Sequence, residues 1–161
     1  MFADVVNEAV EELDSVERWL AHGIDPAERL VWKSHRPSHS LSLALRWRSA
    51  GFASASALQY LDAGFESPAE VSRFTMSGYG LPRAMAWRSA GARTPEIAAQ
   101  WDALGYSPEL AAPWFAAGLG SAVTAARAWS AAGFSPQAAR SLIARGVTDP
   151  LEAAAQMGAR Q

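Results

Sequence analysis

Cysteine is absent from this 161-residue chain, and lysine occurs once, at position 33. Without cysteine the chain has no disulfide framework, no cysteine-ligated zinc or iron–sulfur cluster and no thiol nucleophile. Long apolar runs are also missing, since none approaches the roughly 18 residues of a membrane-spanning helix. Met1 is followed by an acidic segment instead of a basic leader. We therefore predict a soluble, intracellular protein of the cytoplasm.

The composition is that of a folded chain. Half of the residues are hydrophobic, 19% are charged, and the formal net charge is -2. These values exclude intrinsic disorder for most of the chain. The small negative net charge argues against a surface built throughout to attract phosphate, although local basic patches remain open.

The aromatic residues and the glycines follow one spacing rule. Six of the seven tryptophans stand four residues before a glycine, and Tyr60 and Phe74 do the same. We call the residue at this position the anchor of its repeat. In one copy, Arg36 followed by Pro37 takes the place of the glycine. The anchors are Trp19, Trp32, Trp47, Tyr60, Phe74, Trp87, Trp101, Trp114, Trp129, Leu142 and Ala154.

Each copy also carries the signals that start and stop a helix. Glycine after the last turn supplies a left-handed C-terminal cap, and the apolar residue that follows folds back on that turn. Successive glycines are mostly 13 or 14 residues apart, which predicts about eleven short helices and a 27-residue helix-pair repeat. The predicted N-caps, each directly before a proline at the first helical position, are Asp25, Ser67, Thr94, Ser107, Ser135 and Asp149.

Helices of two to three turns are marginal alone, so each must pack on its neighbours. The predicted fold is an all-α solenoid whose core is formed by the tryptophans. Its layout resembles the α-solenoid class of TPR, HEAT and armadillo proteins, although the 13/14-residue step matches none of their motifs. Polar residues flank the anchors mainly in the odd-numbered helices, which predicts a more exposed odd layer. Pro113 predicts a kink or a shortening of the eighth helix.

The N-terminal residues predict a longer capping helix. Residues 1–22 combine this helix with the first anchor, and the short repeats fill 23–158, followed by a tail at 159–161. An acidic outer face suits a polar cap of a repeat array, and the apolar stripe also allows packing on a second copy. No linker divides the chain, so we predict one domain over 1–161. The stripe consists of Phe2, Val6, Ala9, Leu13, Val16 and Leu20.

Arginines form the candidate binding surface. Arg18, Arg46 and Arg73 recur at intervals of 28 and 27 residues, which predicts one arginine per helix pair on one face. We call this predicted row of arginines the arginine stripe. Its guanidinium groups can bind carboxylates or phosphates through paired hydrogen bonds. The alternative is a solvated face or pairing within the chain. The residues that we predict to bind a partner are Arg18, Lys33, Arg46, Arg48, Arg73 and Arg88.

Catalytic patterns are not found. His22, His35 and His39 lie near helix ends, where the helix dipole explains an imidazole without a metal, and spacing alone does not make a three-histidine metal site. The sequence has no GxSxG elbow, no glycine-rich phosphate loop and no HExxH motif. We predict a chain without enzyme activity, cofactor or metal.

Fold and charge together predict a non-catalytic helical-repeat interaction module, a protein–protein adaptor or scaffold. The expected partner is a protein with an acidic or amphipathic segment, and no membrane partner is expected. One alternative is a nucleic-acid-binding or regulatory protein that uses the arginine stripe. Another is a self-assembling structural component, with a homo-oligomer formed through the N-terminal helix.

Overall fold

A computed structural model gives the fold of the chain, and it describes residues 15–158. Within these residues there are eleven α-helices and no strands, which confirms the predicted all-α helical repeat. No helix in this range is long and apolar enough to cross a bilayer. The helices are α1 (Val16–Ala21), α2 (Pro26–His35), α3 (Leu41–Ser49), α4 (Ser54–Asp62), α5 (Pro68–Met76), α6 (Leu81–Ala90), α7 (Pro95–Ala103), α8 (Pro108–Ala116), α9 (Val123–Ala131), α10 (Pro136–Ala144) and α11 (Pro150–Gly158).

The chain divides into two compact units, Met1–Val71 and Ser72–Gln161. In the first unit, α1 packs on α2, α3 packs on α4, and α2 packs on α4. In the second unit, α9 packs on α10, α6 packs on α8, and α8 packs on α10. Contacts between one even-numbered helix and the next are those of a helix-pair repeat. That residues 1–161 form one domain stays a prediction.

The helix C-termini explain the spacing rule. In α3, the Phe52 N–H donates to the Trp47 carbonyl at 3.1 Å, and the Gly51 N–H donates to the Arg48 carbonyl at 2.9 Å. These two bonds define the Schellman motif, in which the anchor is the third residue from the helix end and glycine lies four positions later. The glycines with positive φ that close nine of the described helices are Gly23, Gly51, Gly64, Gly78, Gly91, Gly105, Gly118, Gly133 and Gly146.

The residue after the glycine completes the motif by packing on the anchor. The ring of Phe52 meets that of Trp47 edge-on at 5.3 Å between centroids, and Tyr106 meets Trp101 at 4.9 Å. Helix α2 ends differently, because Arg36 is extended (φ -148, ψ 122) before Pro37.

The nine aromatic anchors form the core, as predicted, whereas the Leu142 and Ala154 anchors are half-buried. All seven tryptophans are buried, and the most exposed of them, Trp114, is 4% exposed. The Trp101 indole Nε1 also donates to the Gly120 carbonyl at 2.8 Å. Small residues three positions before the anchors are buried as well, which lets neighbouring helices approach closely. They are Ala44, Ala57, Val71, Ala84, Ala98, Ala111, Ala126 and Ala139.

All six predicted N-caps accept a backbone N–H, with Asp25 Oδ1 to the Glu28 nitrogen at 2.8 Å as one example. Ser15 caps α1 in the same way: it is extended (φ -62, ψ 149), and its side chain accepts from the Arg18 N–H. A single helix through residue 20 is therefore not formed. The rest of the predicted N-terminal helix, residues 1–14, lies outside the described residues.

The residue that follows the anchor distinguishes the two sets of helices. It is exposed in every odd-numbered helix except α7, where Asp102 is half-buried, and it is buried or half-buried in every even-numbered helix. On this side of the anchors the odd-numbered helices are the more exposed, as predicted. In the even set these residues are Lys33, Leu61, Arg88, Phe115 and Ile143.

The predicted shortening of the eighth helix is wrong. Helix α8 has nine residues, the same length as α7 and α9. Pro113 lies on the exposed side of this helix, and so does Glu109. The Glu109 carbonyl, which loses its helical donor to proline, therefore reaches water.

Trp101→Ala should lower the free energy of unfolding by about 3 to 5 kcal/mol, because it deletes a buried indole and leaves the Gly120 carbonyl without its donor. Leu110→Ala is the control in the neighbouring helix, since Leu110 is 63% exposed. We expect the control to change the free energy by no more than about 0.5 kcal/mol in urea denaturation. Equal effects of the two changes would show that Trp101 is not a core anchor.

Candidate functional site

Arg46 and Arg48 lie together in the first unit. They flank the Trp47 anchor on the exposed side of α3, and both are exposed. With His22, Leu45 and Ser49 they line a shallow, open depression of about 540 Å³. We call it the Arg46 depression. Two guanidinium groups, an imidazole and one aliphatic side chain give it the chemistry of a surface for a carboxylate-bearing segment.

The position of Arg48 is fixed by a contact with α1. Its Nη1 donates to the carbonyl of Gly23, the residue that closes α1. Carbonyls at a helix C-terminus lack intrahelical donors and carry partial negative charge, so a guanidinium is stabilised there. Arg140 also binds at a helix end in the second unit, because its Nη1 donates to the carbonyl of Ala116, the last residue of α8, at 3.4 Å. Arg48 is therefore a structural residue as well as a lining residue of the depression.

His22 is the residue that sequence reasoning did not assign to this surface. Its Nδ1 lies 2.9 Å from the Arg18 carbonyl in the last turn of α1 and donates to it. The side chain is thereby held beside Gly23, where Arg48 also binds. The sequence does place His22 directly before the glycine cap of α1. It does not indicate that Arg48 of α3 contacts this cap, because residue spacing does not predict which helix ends lie together.

The remaining predicted residues of the first unit differ in availability. Arg18 is exposed on α1 and does not line the Arg46 depression. Lys33 is half-buried: its Nζ donates to the Pro37 carbonyl at 2.9 Å and lies 5.9 Å from the centroid of the Trp19 ring. Lys33 thus holds the end of α2 against the first anchor.

In the second unit the arginine prediction is wrong for Arg88. This side chain is 9% exposed, so it is not available on a binding face. The physical reason is that Arg88 follows the anchor of an even-numbered helix. Leu61 and Phe115 occupy the same position in α4 and α8, and both are half-buried. Arg73 is exposed, but its Nη2 lies 3.7 Å from Glu96 Oε2. Arg73 is therefore close to a carboxylate of its own chain, as in the predicted alternative of pairing within the chain.

A second basic residue of this unit is also paired. Arg83 Nη2 contacts Asp102 Oδ1 at 2.5 Å, and the Tyr79 hydroxyl donates to Asp102 Oδ2 at 2.8 Å. Burial, followed by the hydrogen bond to Asp102, raises the pKa of Tyr79 to about 12. The phenol therefore stays protonated at neutral pH, and the trio links the α5–α6 connection to α7.

Two of the three histidines meet in the first unit. The His35 and His39 rings stack with centroids 5.2 Å apart, and His39 meets Trp32 edge-on at 5.7 Å. His35 Nε2 lies 2.9 Å from Asp62 Oδ1. Among residues 15–158, no group of three or more His, Asp or Glu side chains is arranged to hold a metal ion.

Comparison of the chain with known protein families, with curated proteins and with solved structures finds no match. The functional interpretation therefore rests on the surface chemistry of the described residues.

The His39 contact predicts a pH-dependent stability. Burial, followed by the charges of His35, Arg36 and Lys33, lowers the pKa of His39 from its ordinary value of 6.5. The folded state therefore keeps His39 neutral where the unfolded chain takes up a proton. Its contribution to stability is complete above the ordinary pKa and is lost as the pH falls below it.

The free energy of unfolding of the wild type and of His39→Gln should be measured by denaturation as the pH falls below the ordinary histidine pKa. It should decline less for the variant than for the wild type. His22→Gln is the control, because His22 is exposed. A decline of the same size in wild type and His39→Gln would contradict the assignment.

Proposed function

We propose that this chain is a non-catalytic interaction module that binds an acidic segment of a partner protein at the Arg46 depression. The observation that carries the proposal is the exposed Arg46 beside a second, positioned guanidinium. Arg48 is held by the Gly23 carbonyl, so part of the entropy cost of ordering it is met before a partner arrives;. A positioned guanidinium next to an exposed one suits a carboxylate pair on a peptide.

The shape of the depression supports a polypeptide partner over a small molecule. Small-molecule sites are concave and enclose most of the ligand surface. The Arg46 depression is shallow and open, and Leu45 adds an apolar side chain to its lining. An acidic segment with an apolar side chain matches both features.

Binding of nucleic acid is the second candidate, and the charge pairing counts against it. A protein that follows a phosphate backbone uses many exposed cations along one path. In the second unit, Arg73 faces Glu96, Arg83 contacts Asp102 and Arg88 is buried. The arginine stripe therefore has fewer exposed, unpaired cations than the sequence suggests. This favours a short acidic protein segment over nucleic acid as the partner.

Arg46→Glu tests the proposal, with Arg127→Glu as the control because Arg127 is exposed on α9 in the second unit. Both changes reverse one charge at an exposed site, so both should leave the free energy of unfolding within about 0.5 kcal/mol of wild type. Proteins captured from native cells by wild type and by each variant would be compared by quantitative mass spectrometry. We expect one set of proteins to be lost with Arg46→Glu and retained with Arg127→Glu.

A captured partner must then meet a second requirement. Its binding segment should contain clustered Asp or Glu, and its affinity for Arg46→Glu should fall by about tenfold or more, as for loss of a charged hydrogen-bonded pair. Equal capture by both variants would overturn the assignment to the Arg46 depression. Binding of duplex DNA by the chain would favour the nucleic-acid alternative if the affinity also falls steeply with salt. The logarithm of that affinity should then fall with the logarithm of the salt concentration by about 0.9 for each phosphate contacted.

A further inference from the structure

The last described helix departs from the repeat. Ala154 stands where an aromatic anchor stands in most copies, and the preceding helix has Leu142 at that place. In α9, by contrast, Trp129 is 1% exposed and packs against Phe134 at 5.2 Å. The anchor positions of α10 and α11 thus carry no ring, and each of these two residues lines a hollow on the surface.

Two apolar hollows adjoin α11, and Met157 lines both. One, of about 340 Å³, has Leu142, Val147 and Met157 among its lining residues. The other, of about 450 Å³, is lined by Phe134, Ala154 and Met157 among others. We call the two together the Met157 groove. The Met157 side chain is 57% exposed, and Leu151 on the same helix is 74% exposed.

The groove has the chemistry of a docking surface. Exposed apolar side chains that lie together on a protein surface mark sites of protein–protein contact. Here two large apolar side chains of α11 are exposed, next to hollows lined by further apolar groups. The charged side chain that lines the groove is Arg145. An occupant should therefore bring an apolar stripe together with carboxylates.

A segment of the same chain has this composition. Residues 2–14 place Phe2, Val6, Ala9 and Leu13 at steps of four and three, and the same stretch carries five acidic residues and no basic one. Apolar residues at this spacing form one stripe when the segment is helical on its target.

We propose that the Met157 groove binds the acidic N-terminal segment, residues 2–14, of a second copy of this chain. The contact is head-to-tail, so each copy offers one segment and one groove, and association continues from copy to copy. It lies in the second unit and is separate from the Arg46 depression.

Sedimentation velocity of the full chain over a concentration series tests this proposal. The average sedimentation coefficient should rise with protein concentration. Met157→Glu places a carboxylate in the groove and should weaken self-association by about tenfold or more. Met76→Glu is the matched control, because Met76 is 87% exposed on α5 and does not line the groove. It should associate like wild type.

Charge reversal gives a second variant that does not depend on Met157. Arg145→Glu should also weaken self-association, because it faces the acidic segment with like charge. Combining Arg145→Glu with Glu11→Arg and Glu12→Arg should restore association. Arg145 is exposed, and so is Met157, so circular dichroism should show both single variants folded.

A mixing experiment identifies the two partners in the contact. Met157→Glu lacks a working groove, and the double change Val6→Glu with Leu13→Glu lacks a working segment. Each variant alone should stay monomeric, whereas their mixture should form a heterodimer that does not grow further.

A wild type that is monomeric at every concentration would overturn the proposal, and so would a mixture that stays monomeric. Met157→Glu should leave partner capture through Arg46 unchanged. Failure here and failure of the proposed function are thus separate outcomes.

Discussion

The fold depends on how each helix ends. The carbonyl of a buried aromatic anchor accepts the N–H of the residue after a left-handed glycine, and the side chain of that residue packs back on the anchor. The hydrogen bond and the ring contact close the helix at a fixed place relative to the core. A nine-residue helix and a four-residue connection, as in α3 and its link to α4, then give the 13-residue step. Helices this short are unstable alone. The contacts that end each helix are therefore also contacts that pack it on the core.

Much of this architecture was predictable because its signals are local. An N-cap before proline, an anchor and a glycine four positions later specify a helix without knowledge of any distant residue, and the buried tryptophans confirm the resulting core. The candidate site was less predictable. The sequence predicts that Arg88 binds a partner, but Arg88 follows the anchor of an even-numbered helix and is buried. Leu61 and Phe115, at the same position in α4 and α8, are half-buried. The pairing of Arg73 with Glu96 joins α5 to α7, and one-dimensional spacing did not identify that partner.

The basic side chains of this protein serve several purposes. Some close helix ends, as Arg48 does at the Gly23 carbonyl and Arg140 at the Ala116 carbonyl. Others pair with carboxylates of a later helix, as Arg83 does with Asp102. Exposed Arg46 is left beside a structural arginine, and this combination supports an acidic partner at that place. The aromatic anchors are buried through α9, whereas α10 and α11 carry Leu142 and Ala154 at this position. Two large apolar side chains of α11, Leu151 and Met157, are exposed.

Replacing glycine by alanine at two neighbouring positions tests the role of the helix ends most directly. Gly78 has φ +86 and Gly80 has ordinary φ, and an added Cβ meets nothing within 4 Å at either position. The left-handed conformation should cost Gly78→Ala about 1 to 2 kcal/mol in the free energy of unfolding. At Gly80, a weaker N-cap and a lower entropy of the unfolded chain should nearly offset each other, to within about 0.5 kcal/mol. Equal free energies of unfolding for Gly78→Ala and Gly80→Ala would contradict a fold held by left-handed glycine caps.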